Sequence, residues 1–306
     1  MLWTLVSKLL LENRMSFPPI SIIVPAYNEA ISILETINNI HVVCKQSSIL
    51  DYEIIIINDG STDQTGQLLS QTTATVIHHP HNIGYGRSLK DGIRAAQYDV
   101  IVITDADGTY PFDQVPYLLN EYQNGFDMVV GARTGKYYQE STIKSFLRKL
   151  LRFIVEFSAE RKIPDINSGL RVFSKKKVET IMGRLCNTFS FTTTMTLGFM
   201  MSGFFVSYIE IPYHKRNGKT KVKLLSDSAK TIQYILQAIN YYNPLKLFLL
   251  FMGLCLFLSF LFFLGGILTH WKTLISFGIG AALLGLVVLC FGLLADLLKQ
   301  IMDKKV

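Results

Sequence analysis

The hydrophobic and polar positions divide the chain into a patterned first part and an apolar last part. Between Lys246 and Lys272 lie 25 residues without a formal charge, and between Lys272 and Asp296 lie another 23. A helix of either length can cross a hydrocarbon layer of about 30 Å. We therefore predict two membrane-spanning helices within 245–298, at about 247–269 and 273–295. Two buried helices of a soluble core are the alternative, although such helices rarely exceed about twenty uncharged residues.

Two further segments carry an apolar stripe at helical spacing. The first, over residues 1–17, is interrupted by Lys8 and has no cleavage-site pattern, which excludes a signal peptide, and we predict a helix lying on the bilayer or on the domain rather than a third span. The second, over residues 224–244, ends in a pair of tyrosines and predicts an interfacial helix that leads into the first span.

Short apolar runs alternate with helical patterns between residues 18 and 223, and no repeat interrupts them. Fully apolar strands that alternate with helices indicate an α/β fold with a mostly parallel sheet covered on both faces. Ligands of such sheets bind beyond the carboxyl ends of the strands. The predicted strands are Ser21–Pro25, Glu53–Asn58, Val100–Thr104 and Met128–Val130, and the predicted helices are Asn28–Ile40 and Arg87–Ala96.

Charge is distributed unevenly along the chain. Residues 1–130 hold 6 Lys/Arg and 14 Asp/Glu, residues 131–230 hold 19 and 7, and residues 231–306 hold 5 and 2. This order excludes a disordered tail protein and a uniformly basic nucleic-acid-binding protein. It leaves room for an acidic metal site beside a basic site for phosphates or a membrane.

Basic residues before the first span and after the second outnumber the one lysine between the spans. The positive-inside rule therefore places residues 1–245 and the tail, 299–306, in the cytoplasm. The four cysteines are scattered and indicate neither a disulfide framework nor a zinc site, which suits a reducing compartment.

Acidic residues follow two of the predicted strands. Asp105 and Asp107 lie one residue apart directly after one strand, and Asp59 follows another. Two carboxylates at one strand end can hold a hard divalent cation, which relieves their mutual repulsion. The alternative is that such acids cap a helix or form a turn. The position after a fully apolar strand favours a metal site at Asp105 and Asp107.

Other candidate motifs do not fit. Leu89 stands where a dinucleotide-binding loop would need its third glycine. We interpret His78, His79 and His81 as surface loop residues rather than metal ligands. The sequence contains no P-loop, G-x-S-x-G or H-E-x-x-H motif.

Seven short blocks stand in order over residues 18–225: SIIVPAYNEA, EIIIINDGSTDQT, HNIGYGRSLKDGI, VIVITDADGTYP, MVVGAR, IPDINSGLRVF and YHKRNGKTK. Together they resemble the family 2 glycosyltransferases with the GT-A fold. Within that family they are most similar to the polyprenyl-phosphate glycosyltransferases, the group of dolichol-phosphate mannosyltransferase. The processive polysaccharide synthases share the first blocks but carry a Q-x-x-R-W motif that is absent here.

The resemblance implies a donor site on the acidic part of the chain. Asp105 and Asp107 would bind the donor diphosphate through Mg²⁺ or Mn²⁺, with Thr109 beside the metal. Asp59 would hold the base or the ribose. The implied nucleotide-binding residues are Pro25, Ala26, Tyr27, Glu29, Asp59 and Asp105.

The resemblance also implies an acceptor site on the basic part. Arg133 would lie near the lipid phosphate and would act in catalysis together with Asp105 and Asp107. A second arginine would join it there, and the sequence leaves Arg148 and Arg152 as equal candidates. The Ser-Gly-x-Arg loop, with Ser168, Gly169 and Arg171, would shape the acceptor side, and Ser168 and Arg171 would contact the acceptor phosphate. Arg216 and Lys221 would belong to a basic loop that closes over the donor.

Three departures from the family pattern involve four positions. Asn58 stands where an aspartate is common, and Thr109 stands where many relatives have glutamine or serine. Thr192 and Thr194 replace acids that are frequent in the corresponding helix. The last two departures lie where metal geometry and sugar hydroxyls would be recognised, so the identity of the sugar stays open.

These implications predict an inverting, metal-dependent transfer of a sugar from a UDP- or GDP-sugar to a polyprenyl phosphate at the cytoplasmic face of the membrane. A divalent ion would neutralise the charge that builds on the leaving β-phosphate. A lipid monophosphate has a second pKa of about 6, so it needs cations to hold it but no strong general base.

Two alternatives remain. One is transfer to another lipid or to a glycan, and the other is an inactive scaffold tethered to the membrane. Retention of Asp105, Asp107 and Arg133 favours the enzyme. The predicted partners are the nucleotide-sugar donor, the lipid acceptor and the membrane. The sequence is compatible with a homo-oligomer and predicts no nucleic-acid partner.

Overall fold

The structure is a computed structural model that describes residues 17–135, 152–153, 155–157, 159–215 and 224–303, without the side chains of 224–231. The predicted N-terminal helix over 1–17 lies outside these residues apart from Phe17. Two compact units are present. The first comprises Met1–Ser145 and Ile163–Ser228, and the second comprises Phe146–Lys162 and Ala229–Val306.

The first unit is built on a seven-stranded mixed sheet. The strands lie in the order β3-β2-β1-β4-β6-β5-β7. Strands β1 to β4 are parallel to one another, β6 runs antiparallel to both β4 and β5, and β7 is parallel to β5. The predicted α/β class with a mostly parallel sheet is confirmed. The strands are β1 Ile20–Ala26, β2 Tyr52–Asn58, β3 Thr75–His78, β4 Val100–Ile103, β5 Met128–Thr134, β6 Arg171–Ser174 and β7 Val206–Pro212.

Helices cover both faces of this sheet, and residues along β1 are buried on both sides of the strand. Gly92 lets one helix approach closely, because a Cβ there would lie 2.5 Å from the Ile23 side chain. The helices are α1 Ile33–Gln46, α2 Thr65–Leu69, α3 Tyr85–Ala95, α4 Val115–Gln123, α5 Lys175–Ile181 and α6 Phe191–Met201, with 3-10 turns at Phe112–Gln114 and Met182–Arg184.

The first helix begins later than predicted. Asn28 has a positive φ of 52°, which a helix does not accommodate. Its side-chain oxygen accepts hydrogen bonds from the backbone N–H groups of Thr62 and Asp63. Residues 28–32 therefore form a loop bound to the segment after β2, and α1 starts at Ile33.

The sheet has a topological switch point between β1 and β4. From β1 the chain proceeds to β2 and β3 on one side, and it then returns to place β4 on the other side of β1. Crevices that bind ligands form at such points, outside the carboxyl ends of the strands. The loops after β1 and β4 carry Tyr27 and Asp105.

The second unit contains most of α7, Leu224–Tyr242, and a hairpin of α8, Pro244–Thr269, and α9, Lys272–Asp303. Both hairpin helices are long and apolar enough to cross a membrane. They expose many large apolar side chains, as contact with lipid would require. The interfacial role of 224–244 stays a prediction. The predicted tail 299–306 begins inside α9, and its residues 304–306 lie outside the described part.

Glycines on α9 let the two hairpin helices pack closely. Gly278, Gly285 and Gly292 recur every seven residues, and a Cβ at each would meet a side chain of α8 within 3.2 Å. Ser259 of α8 also donates to the carbonyl oxygen of Gly278 at 2.7 Å. Small residues of this kind drive close helix contacts in membranes.

Candidate active site

The loops after β1 and β2 are joined into one cradle. Besides the contacts of Asn28, the backbone N–H of Glu29 donates to the Thr65 hydroxyl at 2.9 Å. The backbone N–H of Ala30 donates to the Asp63 carboxylate at 3.2 Å. Four predicted nucleotide-binding residues, Pro25, Ala26, Tyr27 and Glu29, lie at the end of β1 or in the loop that follows it.

Asp59 lies directly after β2 and is 3% exposed. Its carboxylate accepts hydrogen bonds from the backbone N–H groups of Ile83 and Gly84 at 3.0 and 2.9 Å and contacts His79 Nδ1 at 2.8 Å. Asp59 therefore fixes the loop that leads into α3. The predicted contact with a base or ribose would use a carboxylate lone pair that these three partners leave unoccupied.

His79 is not a surface residue, contrary to our interpretation. Its side chain is 8% exposed, and its second ring nitrogen lies 3.3 Å from the Asp91 carboxylate without hydrogen-bond geometry. Asp91 also pairs with Arg87 and Arg94. The histidine thus links the loop after β3 to α3, and nothing in its local sequence indicates this long-range contact.

Asp105 lies between a tyrosine and a glycine that are distant in sequence. The Tyr85 hydroxyl donates to Asp105 Oδ1 at 3.0 Å. On the other side, a Cβ at Gly169 would lie 2.9 Å from both carboxylate oxygens. Burial and the negative charge of Asp105 raise the pKa of Tyr85 well above its usual value, so the hydroxyl keeps its proton.

Tyr85 itself is positioned by the start of α3. Gly86 lies so close to the segment before α6 that a Cβ would approach the Cys186 carbonyl oxygen to 2.6 Å. The buried Lys90 ammonium donates to the carbonyl oxygen of Leu185 and to the Asn187 side chain at 2.5 and 2.8 Å. Burial lowers the pKa of Lys90. These contacts fix the helix end that carries Tyr85.

Asp107 is held by its own loop. The backbone N–H and the hydroxyl of Thr109 both donate to Asp107 Oδ1, at 3.1 and 2.6 Å. Thr109 is fully buried. Its hydroxyl proton therefore orients the carboxylate beside the predicted metal.

The two carboxylates fit a hard divalent ion. Mg²⁺ and related ions are bound in phosphate-transfer sites by one or two carboxylates together with substrate oxygens. Among the described residues no group of three His, Cys, Asp or Glu side chains could hold a metal. Asp105 and Asp107 thus suit an ion whose remaining ligands come from a diphosphate.

Arg133, at the end of β5, forms a bidentate ion pair with Asp165. Its Nε and Nη2 donate to the two carboxylate oxygens at 2.6 and 2.9 Å, and its backbone N–H donates at 3.2 Å. Burial alone would raise the pKa of Asp165, but the hydrogen bonds and charge of Arg133 outweigh it and the pKa is lowered. The guanidinium carbon also lies 5.4 Å from the centre of the Tyr213 ring.

Arg171 and Ser168 do not face an open site. Arg171 is fully buried in β6, where it donates to the carbonyl oxygens of Ser168 and Ile166 and to the Thr196 hydroxyl. The buried Ser168 hydroxyl donates to the Gly131 carbonyl oxygen at 2.5 Å. Both residues shape the loop that carries Asp165 and Gly169, so direct phosphate contact by Arg171 does not fit this conformation.

A hydroxyl group at the start of α6 contacts the same loop. Thr192, Thr193 and Thr194 are buried there, and the Thr193 hydroxyl contacts the Asn167 side chain. The helix contains no acidic residue.

The remaining predicted site residues lie elsewhere. Arg152 is exposed and belongs to the second unit. Arg148, Arg216 and Lys221 fall outside the described residues. Their proposed contacts with the acceptor phosphate and with the donor therefore stay predictions.

A family model described as glycosyl transferase family 2 matches residues 21–182, just over half of the chain. The chain belongs to glycosyl transferase family 2. The family resemblance of the seven sequence blocks is thus confirmed.

Relatives within this family include polyprenyl-phosphate transferases. An undecaprenyl-phosphate 4-deoxy-4-formamido-L-arabinose transferase of Pseudomonas fluorescens is 30% identical over 170 residues, which cover 53% of this chain and 49% of the relative. A dolichol-phosphate mannosyltransferase of Pyrococcus furiosus is 28% identical over 216 residues, which cover 67% and 59%. The chain thus spans about half the length of these two relatives.

Solved structures confirm the GT-A type of fold. A glucosyl-3-phosphoglycerate synthase of Mycobacterium tuberculosis, in complex with Mn²⁺, UDP-glucose and phosphoglyceric acid, superposes with a TM-score of 0.59. The sequences are 18% identical, and the match covers 72% of this chain and 79% of the synthase.

Proposed function

We propose that this family 2 member transfers a sugar from a UDP- or GDP-sugar to a polyprenyl phosphate, with inversion at the anomeric carbon and at the cytoplasmic face of a membrane. One observation carries the proposal: the loop whose Asp165 pairs with Arg133 also places Gly169, four residues later, against both carboxylate oxygens of Asp105. Arg133, a cation suited to a phosphate, is therefore close to the Asp105 and Asp107 pair, whose carboxylates suit a metal-bound diphosphate.

Asp105 and Asp107 form the donor half of the site. Their arrangement favours the departure of a nucleoside diphosphate. Asp105 and Asp107 would hold Mg²⁺ or Mn²⁺, which, when bound, supplies Lewis-acid charge at the β-phosphate. Tyr85, Gly169 and Thr109 hold the carboxylates in place before substrate arrives. Such preorganisation lowers the cost of assembling the charged transition state.

Arg133 forms the acceptor half of the site. It suits a nucleophile that is already ionised when it binds. A lipid monophosphate is largely dianionic at neutral pH, so it attacks without a general base. Arg133 can pair with phosphate oxygens, as guanidinium groups do.

The relatives and the apolar hairpin support the class of acceptor. The two relatives described above carry undecaprenyl phosphate and dolichol phosphate in their names. Helices that could span a membrane would anchor the chain where such a lipid resides. The excess of Lys and Arg outside the hairpin turn favours the cytoplasmic face.

The test is nucleotide release by the purified full chain with Mg²⁺ or Mn²⁺ and a panel of UDP- and GDP-sugars. We expect release of UDP or GDP when polyprenyl phosphate is supplied and none with polyprenol, which lacks the phosphate. Equal release with the two lipids would contradict the acceptor. Release that persists in EDTA would contradict the role of the metal.

A further inference from the structure

A three-residue segment at the start of α3 connects two acids that follow different strands. The backbone N–H groups of Ile83 and Gly84 donate to the two carboxylate oxygens of Asp59, at 3.0 and 2.9 Å. The third residue, Tyr85, donates from its hydroxyl to Asp105 Oδ1 at 3.0 Å. Asp59 follows β2 and Asp105 follows β4, which lie on opposite sides of β1. The segment therefore joins the acid predicted to hold the nucleoside to an acid predicted to hold the metal.

The same segment is fixed on its other side by the residues before α6. The carbonyl oxygen of Asn187 accepts from the backbone N–H of Arg87 at 3.0 Å, and a Cβ at Gly84 would lie 2.9 Å from that oxygen. Gly84 also has a φ of 112°, which residues with a side chain rarely adopt. The Phe189 ring packs against the Tyr85 ring, with centroids 6.1 Å apart. The Tyr85 hydroxyl therefore reaches Asp105 from a defined position.

The hydrogen bond from Tyr85 leaves the charge of the Asp105 carboxylate available to a cation. A tyrosine hydroxyl donates its proton without bringing a positive charge. Gly169 limits the space on the other side, since a Cβ there would lie 2.9 Å from both carboxylate oxygens. Hydrogen bonds of this kind orient a carboxylate that ligates a metal, and their loss typically weakens metal binding by about ten- to a hundredfold.

We propose that Tyr85 is a positioning residue that orients Asp105 for the metal, and that residues 83–85 make this orientation depend on Asp59. A change at Asp59 then alters metal binding although Asp59 itself does not bind the metal. This inference rests on the proposed function, because it takes Asp59 and Asp105 as donor-binding residues. It adds a structural route between the nucleoside end and the metal end of the donor half.

The test titrates Mn²⁺ alone against the full chain by electron paramagnetic resonance, so the readout needs neither nucleotide nor turnover. Tyr85→Phe keeps the ring and removes the hydroxyl, and it should weaken Mn²⁺ binding about tenfold. Tyr117→Phe is the matched control, because Tyr117 is exposed on α4, and it should leave the affinity unchanged. Equal Mn²⁺ affinity in Tyr85→Phe and the control would overturn the positioning role.

Variants of Asp59 test the route. Asp59→Ala removes both acceptors of the segment and should weaken Mn²⁺ binding about two- to tenfold without any nucleotide present. Asp59→Asn keeps one acceptor oxygen, so its loss should be smaller. If Asp59 acts through Tyr85, either Asp59 variant combined with Tyr85→Phe should bind Mn²⁺ no more weakly than Tyr85→Phe alone. Additive losses in the double variants, or wild-type affinity in both Asp59 variants, would overturn the route.

The same titration separates this inference from the proposed function. A wild-type chain that binds no Mn²⁺ would contradict the proposed metal site, and the inference with it. Mn²⁺ binding that Asp107→Asn abolishes but Tyr85→Phe leaves intact would contradict the inference while the metal site stands. The proposed acceptor is decided independently, by the comparison of polyprenyl phosphate with polyprenol.

Discussion

The donor half of the site, here called the carboxylate half, and the acceptor half, here called the arginine half, are held by different kinds of partner. Tyr85, Thr109 and the close backbone of Gly169 hold Asp105 and Asp107. A buried carboxylate holds Arg133. Hydroxyl groups orient a carboxylate without cancelling its charge, whereas Asp165 orients the arginine and also offsets its charge. The first half is arranged to attract a cation, and the second must share or exchange an ion pair when a phosphate binds.

The largest effect should come from removing charge in the carboxylate half. We expect Asp107→Asn to reduce nucleotide release by about a hundred- to thousandfold, because the β-phosphate loses preorganised charge stabilisation. Asp113→Asn changes an exposed acid a few residues further on and is the matched control. Release by Asp107→Asn at the rate of the control would contradict the assignment of the metal site.

The next effect concerns the arginine half. We expect Arg133→Ala to raise the KM for polyprenyl phosphate about ten- to hundredfold, since hydrogen bonds to a charged group are lost. Donor nucleotide affinity should stay within about twofold. Arg133→Lys keeps the charge but not the bidentate geometry, so its KM should be intermediate. A selective loss of nucleotide affinity would show that the two halves are not distinct.

A smaller effect tests the close contact between the halves. We expect Gly169→Ala to reduce turnover about tenfold, because the new Cβ displaces the Asp105 carboxylate from its position. Gly183→Ala is the control, since a Cβ there meets nothing within 4 Å. Equal turnover in the two variants would mean that the carboxylate tolerates the displacement.

The smallest effect should appear in acid. The pKa of Asp165 is lowered in the folded protein, so its stabilising effect is present above the unfolded value of about 3.9 and is lost as the pH falls through the folded value. We expect Asp165→Asn to lower the Tm by about 2–4 °C at pH 7, with a difference that shrinks below about pH 4. A gap that is constant with pH would indicate that the charge is irrelevant.

The sequence predicted the sheet best where the strands are fully buried. The run of isoleucines in β2 and the apolar run of β4 were both recognised. Strand β3 was missed because it is short and half exposed at the sheet edge. Strand β6 was missed as well, since it has four residues and begins with a buried arginine. Strand β7 was also missed.

The residues of the site also differ in how well the sequence predicts them. Residues next to a strand end, such as Asp105 and Asp107, can be recognised locally. Tyr85 and Gly169 contact Asp105 from positions 20 and 64 residues away, which no local pattern reveals. The sequence assigned Arg171 to a phosphate because arginine so often binds one, but the fold buries its guanidinium among carbonyl oxygens.

The division of the chain into units has a consequence for making a soluble version of the protein. The residues between Arg133 and Asp165 include a stretch, 146–162, that belongs with the hairpin. Lys246 of α8 bonds to Glu160 at 2.6 Å and lies over the Phe157 ring. A truncation before residue 229 would therefore remove the contacts that Lys246 makes with Phe157 and Glu160, together with two helices long enough to cross a membrane. Designs that shed the hairpin need to replace these contacts.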